Sequence, residues 1–223
     1  MGQAHNEFEF WWGTSGEWVE PPNVRRNGSS GVQQVVQDGK TLFVKRQTGH
    51  LFRSLRYPTG RPTALREGIA LSRLVELGVN APKPVFYGTR KVAGIWQGVL
   101  VTEDLGGFID LDTWYAQGGA STLTTEQHQQ LFKRLAQTLA RMHSGKWQHG
   151  CMRSKHIFIK ASITETGFDF ELALLDLEKS RSRVTAMGAA RHDIPQLRRH
   201  SSWDELQWTY FLSCYEQEIG RAV

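Results

Sequence analysis

An α+β fold is what the sequence predicts, and three observations predict it. Strand-like segments crowd the chain before Leu105-Gly106-Gly107, helix-like segments follow it, and the two textures do not alternate as a doubly wound parallel sheet requires. The 223 residues suit one domain of two lobes, 1–104 rich in β-structure with one helix and 105–223 mainly helical. Hydrophobic residues at 39% and charged ones at 22% can supply a sizeable core and exclude a disordered chain.

The elements follow in order. Three tryptophans near the start, Trp11, Trp12 and Trp18, should pack an extra segment against the first lobe. Runs 32–36 and 42–47 are β-prone, and Asp38-Gly39 between them is a hairpin signal because both residues tolerate positive φ. From 63 to 77, Ala70, Leu74 and Leu77, with Leu71 and Val75 beside them, have helical spacing, and Gly78 ends the helix. Pro82 and Pro84 then enforce extended backbone, leading to strands at 85–89 and 97–102 around a turn at Ala93-Gly94. Thr124 and Gln127 form a capping box ahead of the stripe Leu131, Leu135, Thr138, Leu139 and Met142. A loop from 143 to 155, strands at 157–159 and 171–175, and a last helix carrying Trp203, Leu206, Tyr210 and Cys214 complete the prediction.

Several classes drop out. Cys151 and Cys214 stand alone, so neither a disulfide framework nor a zinc ribbon is indicated. There is no secretory start and no apolar run that would span a bilayer, so a cytoplasmic chain with at most peripheral membrane contact is expected. GxxxxGK[ST] and GxGxxG are both absent. The run Arg-Arg-Asn-Gly-Ser-Ser-Gly at 25–31 reads as a flexible basic loop that could bring backbone N–H groups near phosphate, or as a plain surface loop.

The residues suited to chemistry are few. Lys45 lies in an apolar strand, where a cation needs a partner or an edge position. Glu67, 22 residues on at the start of the next helix, supplies a partner, and a strand lysine with a helix glutamate is how protein-kinase-like folds hold ATP phosphates. Alone, Glu67 reads as a first-turn acid favoured by the helix dipole. The strand ending Thr102-Glu103-Asp104 turns acidic where the texture changes, which suits either a solvated strand end or a hinge whose backbone meets an adenine edge. Asp176 closes the apolar run Leu172–Leu175 and is a candidate Mg2+ ligand. Between the best helix and that strand lies His149-Gly150-Cys151-Met152-Arg153-Ser154-Lys155-His156. His143, His149, Cys151 and His156 match no zinc-ligand spacing, and no peptidase-type signature surrounds Cys151.

Three segments together resemble the lipopolysaccharide kinase (Kdo/WaaP) family, the Kdo and heptose kinases of the bacterial inner core: Leu42-Phe43-Val44-Lys45, Val101-Thr102-Glu103-Asp104-Leu105, and His149 through Phe158 with Leu174-Leu175-Asp176 after it. The resemblance spans nearly the whole chain. It implies a protein-kinase-like bilobal fold with a β-rich first lobe, a reduced helical second lobe, and ATP between them. It implies that Lys45 holds phosphates, that Glu67 positions Lys45, that Glu103 lines the adenine site and that Asp176 and His156 bind Mg2+, His156 replacing an asparagine of ordinary kinases. Asp193 resembles the kinase aspartate that fixes the catalytic loop through its backbone.

One departure stands out. Where kinases have His-x-Asp, this chain has His149-Gly150-Cys151, and residues 127–164 contain no Asp or Glu that could replace the missing carboxylate. Cys151, His149 and Asp176 are therefore the catalytic candidates. The expected activity is phosphate transfer from ATP to a lipopolysaccharide core sugar. The alternative is a pseudokinase that binds ATP as a regulatory module. Lys+Arg 27 against Asp+Glu 22, with Lys133, Arg134, Arg141, Lys146, Arg153, Lys155 and Lys160 in a stretch without nearby acids, implies an anionic partner. A glycolipid at the inner membrane fits. No helix-turn-helix, ribonucleoprotein or zinc-finger pattern is present, so no specific nucleic-acid binding is expected.

Overall fold

The computed structural model describes residues 2–25, 28–164 and 167–223. The chain divides into two compact units, Met1–Arg73 with Pro82–Leu105, and Leu74–Ala81 with Gly106–Val223. Residues 74–81 thus group with the second unit although they precede the strands that complete the first.

The first unit runs α1 (Gly2–Gly13), β1 (Glu17–Arg25), β2 (Gly28–Gln37), β3 (Lys40–Thr48), two short strands β4 (Leu51–Phe52) and β5 (Arg61–Pro62), α2 (Thr63–Glu76), β6 (Pro84–Val92) and β7 (Ile95–Glu103). Five strands form an antiparallel sheet in the order β1-β2-β3-β7-β6. Two of its tight hairpins turn at Asp38-Gly39, with φ of 52° and 73°, and at Ala93-Gly94, with φ of 48° and 82°. Positive φ at both central residues is the turn whose twist matches the flanking strands. Alternation along β3 and β7 sends Leu42, Val44, Val99 and Val101 to one face. Phe8 and Trp11 of α1 bury against these residues, with Trp12 and Phe86 beside them. The expected tryptophan-bearing segment is therefore a helix that covers the sheet, while Trp18 lies half exposed on β1.

The predicted basic loop is different. Arg26 and Asn27 lie outside the described residues, but Gly28–Gly31 belong to β2, where Ser30 faces Asn23 on one side and Gln47 on the other. A strand flanked on both sides commits its amides to the ladders, so Gly28–Gly31 are strand residues, and the turn between β1 and β2 lies outside the described residues.

The second unit holds β8 (Ile109–Asp110), α3 (Leu111–Ala116), α4 (Thr125–Ser144), β9 (Trp147–Gln148), β10 (Ile157–Thr164), β11 (Gly167–Leu174), β12 (Arg181–Ser182), α5 (Ala186–Arg199) and α6 (Glu205–Ile219). The capping box forms: Gln127 N–H donates to Thr124 Oγ1 at 3.3 Å and Thr124 N–H to Gln127 Oε1 at 2.8 Å. His143, assigned to a loop from the sequence, is the penultimate residue of α4 and fully buried. The last helix exists with a different buried face: Trp208, Phe211 and Tyr215 are buried, whereas Leu206 is exposed and Tyr210 and Cys214 are only half-buried. Both stripes have helical spacing, and the aromatic one removes more apolar surface from water. α5 was not predicted, because Pro195 interrupts its pattern, yet Ala189, Ala190, Ile194 and Leu197 are buried along it. Among the described residues no helix is long and apolar enough to cross a membrane.

Candidate functional site

In the first unit, residues 45 and 47 share a face of β3 because side chains alternate along a strand. Gln47, 1% exposed, places Oε1 where it accepts from Ala64 N–H at 2.7 Å and from the Thr63 hydroxyl at 3.0 Å, tying the first turn of α2 to the sheet. Two residues back along the strand is Lys45, and one helical turn on from Ala64 is Glu67. The two steps are of similar length, roughly 6–7 Å along the strand and 5 Å along the helix. Lys45 Nζ accordingly meets Glu67 Oε2 at 2.8 Å, with the side chains 19% and 12% exposed. Gly68 lets α2 approach β6, since a Cβ there would lie 2.3 Å from the Tyr87 ring. At the end of β7, Glu103 is ion-paired to Lys40 at 2.8 Å, and its N–H donates to Lys83 O at 2.9 Å. The Lys40 hydrogen bond holds the Glu103 carboxyl below its ordinary range.

In the second unit the loop after β9 is organised by a buried carboxylate. Asp193 on α5 is fully buried and accepts four hydrogen bonds: from His149 N–H at 2.6 Å, Gly150 N–H at 3.0 Å, His143 Nε2 at 3.2 Å and His192 Nδ1 at 3.0 Å. Burial alone would raise its pKa. The hydrogen bond from His143, with lesser help from His192, holds it below the usual value instead. With His143 Nε2–H turned to Asp193, its Nδ1 accepts from the Tyr215 hydroxyl at 2.6 Å. Burial and the nearby Asp193 charge push the Tyr215 phenol well upward. Asp193 thus does what its kinase counterpart is expected to do, fixing the loop through its backbone. Gly150 is required there: its φ is +85° and a Cβ would sit 2.4 Å from Lys179 O.

His149 is fully buried, and both its ring nitrogens are engaged. Nδ1 accepts from Cys151 N–H at 3.3 Å, so Nε2 carries the proton and donates to Leu175 O at 2.8 Å. Desolvation by burial lowers its pKa and keeps it neutral. The ring of His156 lies parallel to it, with centroids 5.9 Å apart.

Register brings His156 to Asp176. Pairs along β10 and β11 run from Thr164↔Gly167 to Ile157↔Leu174, and the next step closes with Leu175 N–H donating to His156 O at 3.0 Å. Asp176 follows immediately, with φ of +58°, and its Oδ2 lies 3.1 Å from His156 Nε2. His156 Nδ1 faces Cys151 O at 2.7 Å. Ligand atoms of Cys151, His156 and Asp176 all lie within 4.8 Å of one another. Mg2+ takes oxygen donors. Of the three only Asp176 supplies one, so a Mg2+ ion there would be held by Asp176 and completed by phosphate or water oxygens.

Each structural unit therefore gathers its own candidates: Lys45 with Glu67 in one, His149, Cys151, His156 and Asp176 in the other. Glu103 is joined to Lys40. Four contributors were not foreseen as such. Gln47 carried a signal in its two-residue offset from Lys45, and Tyr215, His143 and His192 carried none. The basic stretch is partly balanced, since β11 brings Asp169 to Arg134 at 3.4 Å and Glu171 to Lys160 at 3.0 Å. Lys133, Lys146, Lys155, Lys179 and Arg181 remain exposed.

Comparison with known proteins now adds to the geometry. The model of the lipopolysaccharide kinase (Kdo/WaaP) family matches residues 9–215. Protein InaA of Escherichia coli (strain K12) is 44% identical over 217 residues, covering 95% of this chain and 98% of that protein. Lipopolysaccharide core heptose(I) kinase WaaP of the same organism is 24% identical over 154 residues, 66% of this chain and 57% of WaaP. A solved structure of WaaP in complex with acyl carrier protein superposes with a TM-score of 0.72 at 21% identity, covering 95% of this chain and 82% of that one. The fold is therefore α+β and kinase-like, as the sequence predicted.

Proposed function

Because the chain belongs to the lipopolysaccharide kinase (Kdo/WaaP) family, we propose that it transfers phosphate from ATP to a hydroxyl of an anionic glycolipid, with a sugar of the lipopolysaccharide core as acceptor. The observation that supports this reading is the 2.8 Å Lys45–Glu67 pair, the kind of lysine–glutamate pair with which kinase-like folds hold ATP phosphates. Glu103, at the end of β7, marks the adenine side. Asp176 would hold Mg2+, which would neutralise charge on the phosphates. Asp193 and His149 position the loop. The acceptor oxygen bonds to the γ-phosphorus as the bond to ADP breaks, and the hydroxyl proton passes to Cys151 Sγ, which must enter the step as the thiolate, its own proton already given up to solvent. The exposed lysines of the second unit favour a negatively charged acceptor and a peripheral place at the inner membrane.

A second reading is favoured by one specific feature, the absence of any Asp or Glu in residues 127–164. A general base contributes about 10²- to 10⁴-fold, and without a carboxylate the chain would bind Mg-ATP and act as a regulatory module. Transfer of labelled phosphate to lipid-linked core acceptor separates the two. The enzyme reading expects transfer by wild type and none by Lys45→Ala or Asp176→Asn. Equal signal from all three defeats it, and stabilisation by Mg-ATP without turnover selects the second reading.

A further inference from the structure

The loop offers more than a place for Mg2+. Because His156 Nδ1 lies 2.7 Å from a carbonyl oxygen, which can only accept, Nδ1 carries a proton, and in the neutral ring the lone pair is on Nε2. That lone pair points at Asp176 Oδ2 from 3.1 Å, acceptor against acceptor. A cation shared between the two atoms makes such a contact favourable. A histidine whose second ring nitrogen donates to a backbone carbonyl is also the usual arrangement of a metal ligand.

The third donor decides which cation. Cys151 Sγ completes a sulfur, nitrogen and oxygen set within 4.8 Å. In a tetrahedral zinc site, bond lengths of 2.0–2.3 Å place ligand atoms about 3.3–3.7 Å apart, and the observed separations need shifts of only about an ångström or less. Magnesium prefers oxygen alone, whereas a mixed thiolate, imidazole and carboxylate set suits Zn2+ and the borderline ions near it. The residues are also preset. Cys151 N–H is held by His149 and Cys151 O by His156, so both backbone groups of the thiol-bearing residue are fixed. Asp176 occupies the left-handed region, a conformation uncommon outside glycine and concentrated at functional sites.

We propose that Cys151, His156 and Asp176 form a three-ligand site for Zn2+ or a similar borderline divalent cation, with the fourth position open to water or a phosphate oxygen. The cysteine that replaces the kinase aspartate thus changes the metal preference of the loop. Binding releases the thiol proton to solvent as the metal–sulfur bond forms. The site stands whether or not the chain transfers phosphate.

The test uses the full chain stripped of metal and titrated with Zn2+, Co2+ or Mg2+. One Co2+ per chain should bind with thiolate-to-cobalt charge-transfer absorption, lost in Cys151→Ser and kept in Cys214→Ser. Zn2+ affinity should fall at least 100-fold in Asp176→Asn and His156→Ala. In wild type, Zn2+ but not equimolar Mg2+ should protect Cys151 from alkylation, a readout that needs no variant to fold. Absence of the charge-transfer band, or alkylation of Cys151 unaffected by Zn2+, overturns the proposal, as does Zn2+ binding that survives Cys151→Ser unchanged. Thermal stabilisation by Mg-ATP, measured on the same Cys151→Ser protein, reports on nucleotide binding separately, so the two readings can fail independently.

Discussion

The junction of β3 with α2 and the loop between β9 and β10 solve the same problem, holding polar side chains in fixed positions, by opposite means. At the junction two charged side chains hold each other, Lys45 against Glu67, on a register set by Gln47. In the loop a buried carboxylate grips backbone N–H groups, and the side chains it presents are left to vary. A charged pair depends on both side chains, since each holds the other in place. A loop held by its backbone tolerates a change of side chain, which is how cysteine can stand at residue 151 without disturbing the scaffold. The loop can therefore change its side chains on a fixed backbone, whereas at the junction the geometry lies in the side chains themselves.

The largest expected effect tests that freedom. Cys151→Asp should raise phosphate transfer about 10²- to 10⁴-fold if the lost base limits the rate, read as the initial rate of label incorporation. A rate that stays at the wild-type level would show that the carboxylate is not what separates the two regions.

Next come the groups that hold the loop. Asp193→Asn should cost about 3 kcal/mol in urea unfolding, because four donors lose their anionic acceptor. Tyr215→Phe, which removes one hydrogen bond to His143, should cost about 1 kcal/mol. Gly150→Ala should cost about 2–3 kcal/mol through strain at positive φ and the clash with Lys179 O. If Asp193→Asn unfolds at the wild-type midpoint, the backbone grip is not what builds the loop.

Acid should separate the contributions further. His149 is neutral when folded, with its pKa lowered by burial, while the unfolded chain takes up a proton below about pH 6.5. Its stabilisation is therefore complete above that pH and declines below it, by up to about 1.4 kcal/mol per pH unit. Asp193, also lowered, contributes stability above about pH 3.9 that is lost as pH falls through its folded value. Unfolding midpoints from pH 8 to 4 should show the first decline flattened in His149→Gln and the second retained. An unaltered slope would mean that His149 already carries charge in the folded chain.

The smallest effect belongs to the junction. A double-mutant cycle of Lys45→Met and Glu67→Gln should return about 1 kcal/mol of coupling in stability, modest because both side chains keep some exposure. In the same variants Mg-ATP stabilisation should vanish. Its persistence would take Lys45 out of the nucleotide site.

What could be read from the sequence was whatever rests on local spacing. Asp38-Gly39, Ala93-Gly94, the Thr124 capping box and the helix closed by Gly78 each depend on a few adjacent residues, and all formed. The pairing of Lys45 with Glu67 was also legible, through its likeness to the strand lysine and helix glutamate of protein-kinase-like folds. Asp193 was suggested by resemblance alone, and its partners His143, His192 and Tyr215 come from separate elements that only packing unites. The face of α6 was misread because two stripes satisfied one period. Glycines 28 and 31 looked like loop residues because their role in a twisted, doubly paired strand leaves no local mark.

The Gln47 anchor has a consequence for control. In many two-state enzymes an element bearing an acidic residue swings in and out, making and breaking its contact with a lysine. Here the first turn of α2 is clamped to β3 by a side chain almost wholly sheltered from water. An outward swing of the first turn of α2 would cost Gln47 Oε1 both the Ala64 N–H and the Thr63 hydroxyl, so the strand carrying Lys45 and the helix carrying Glu67 are tied to move together.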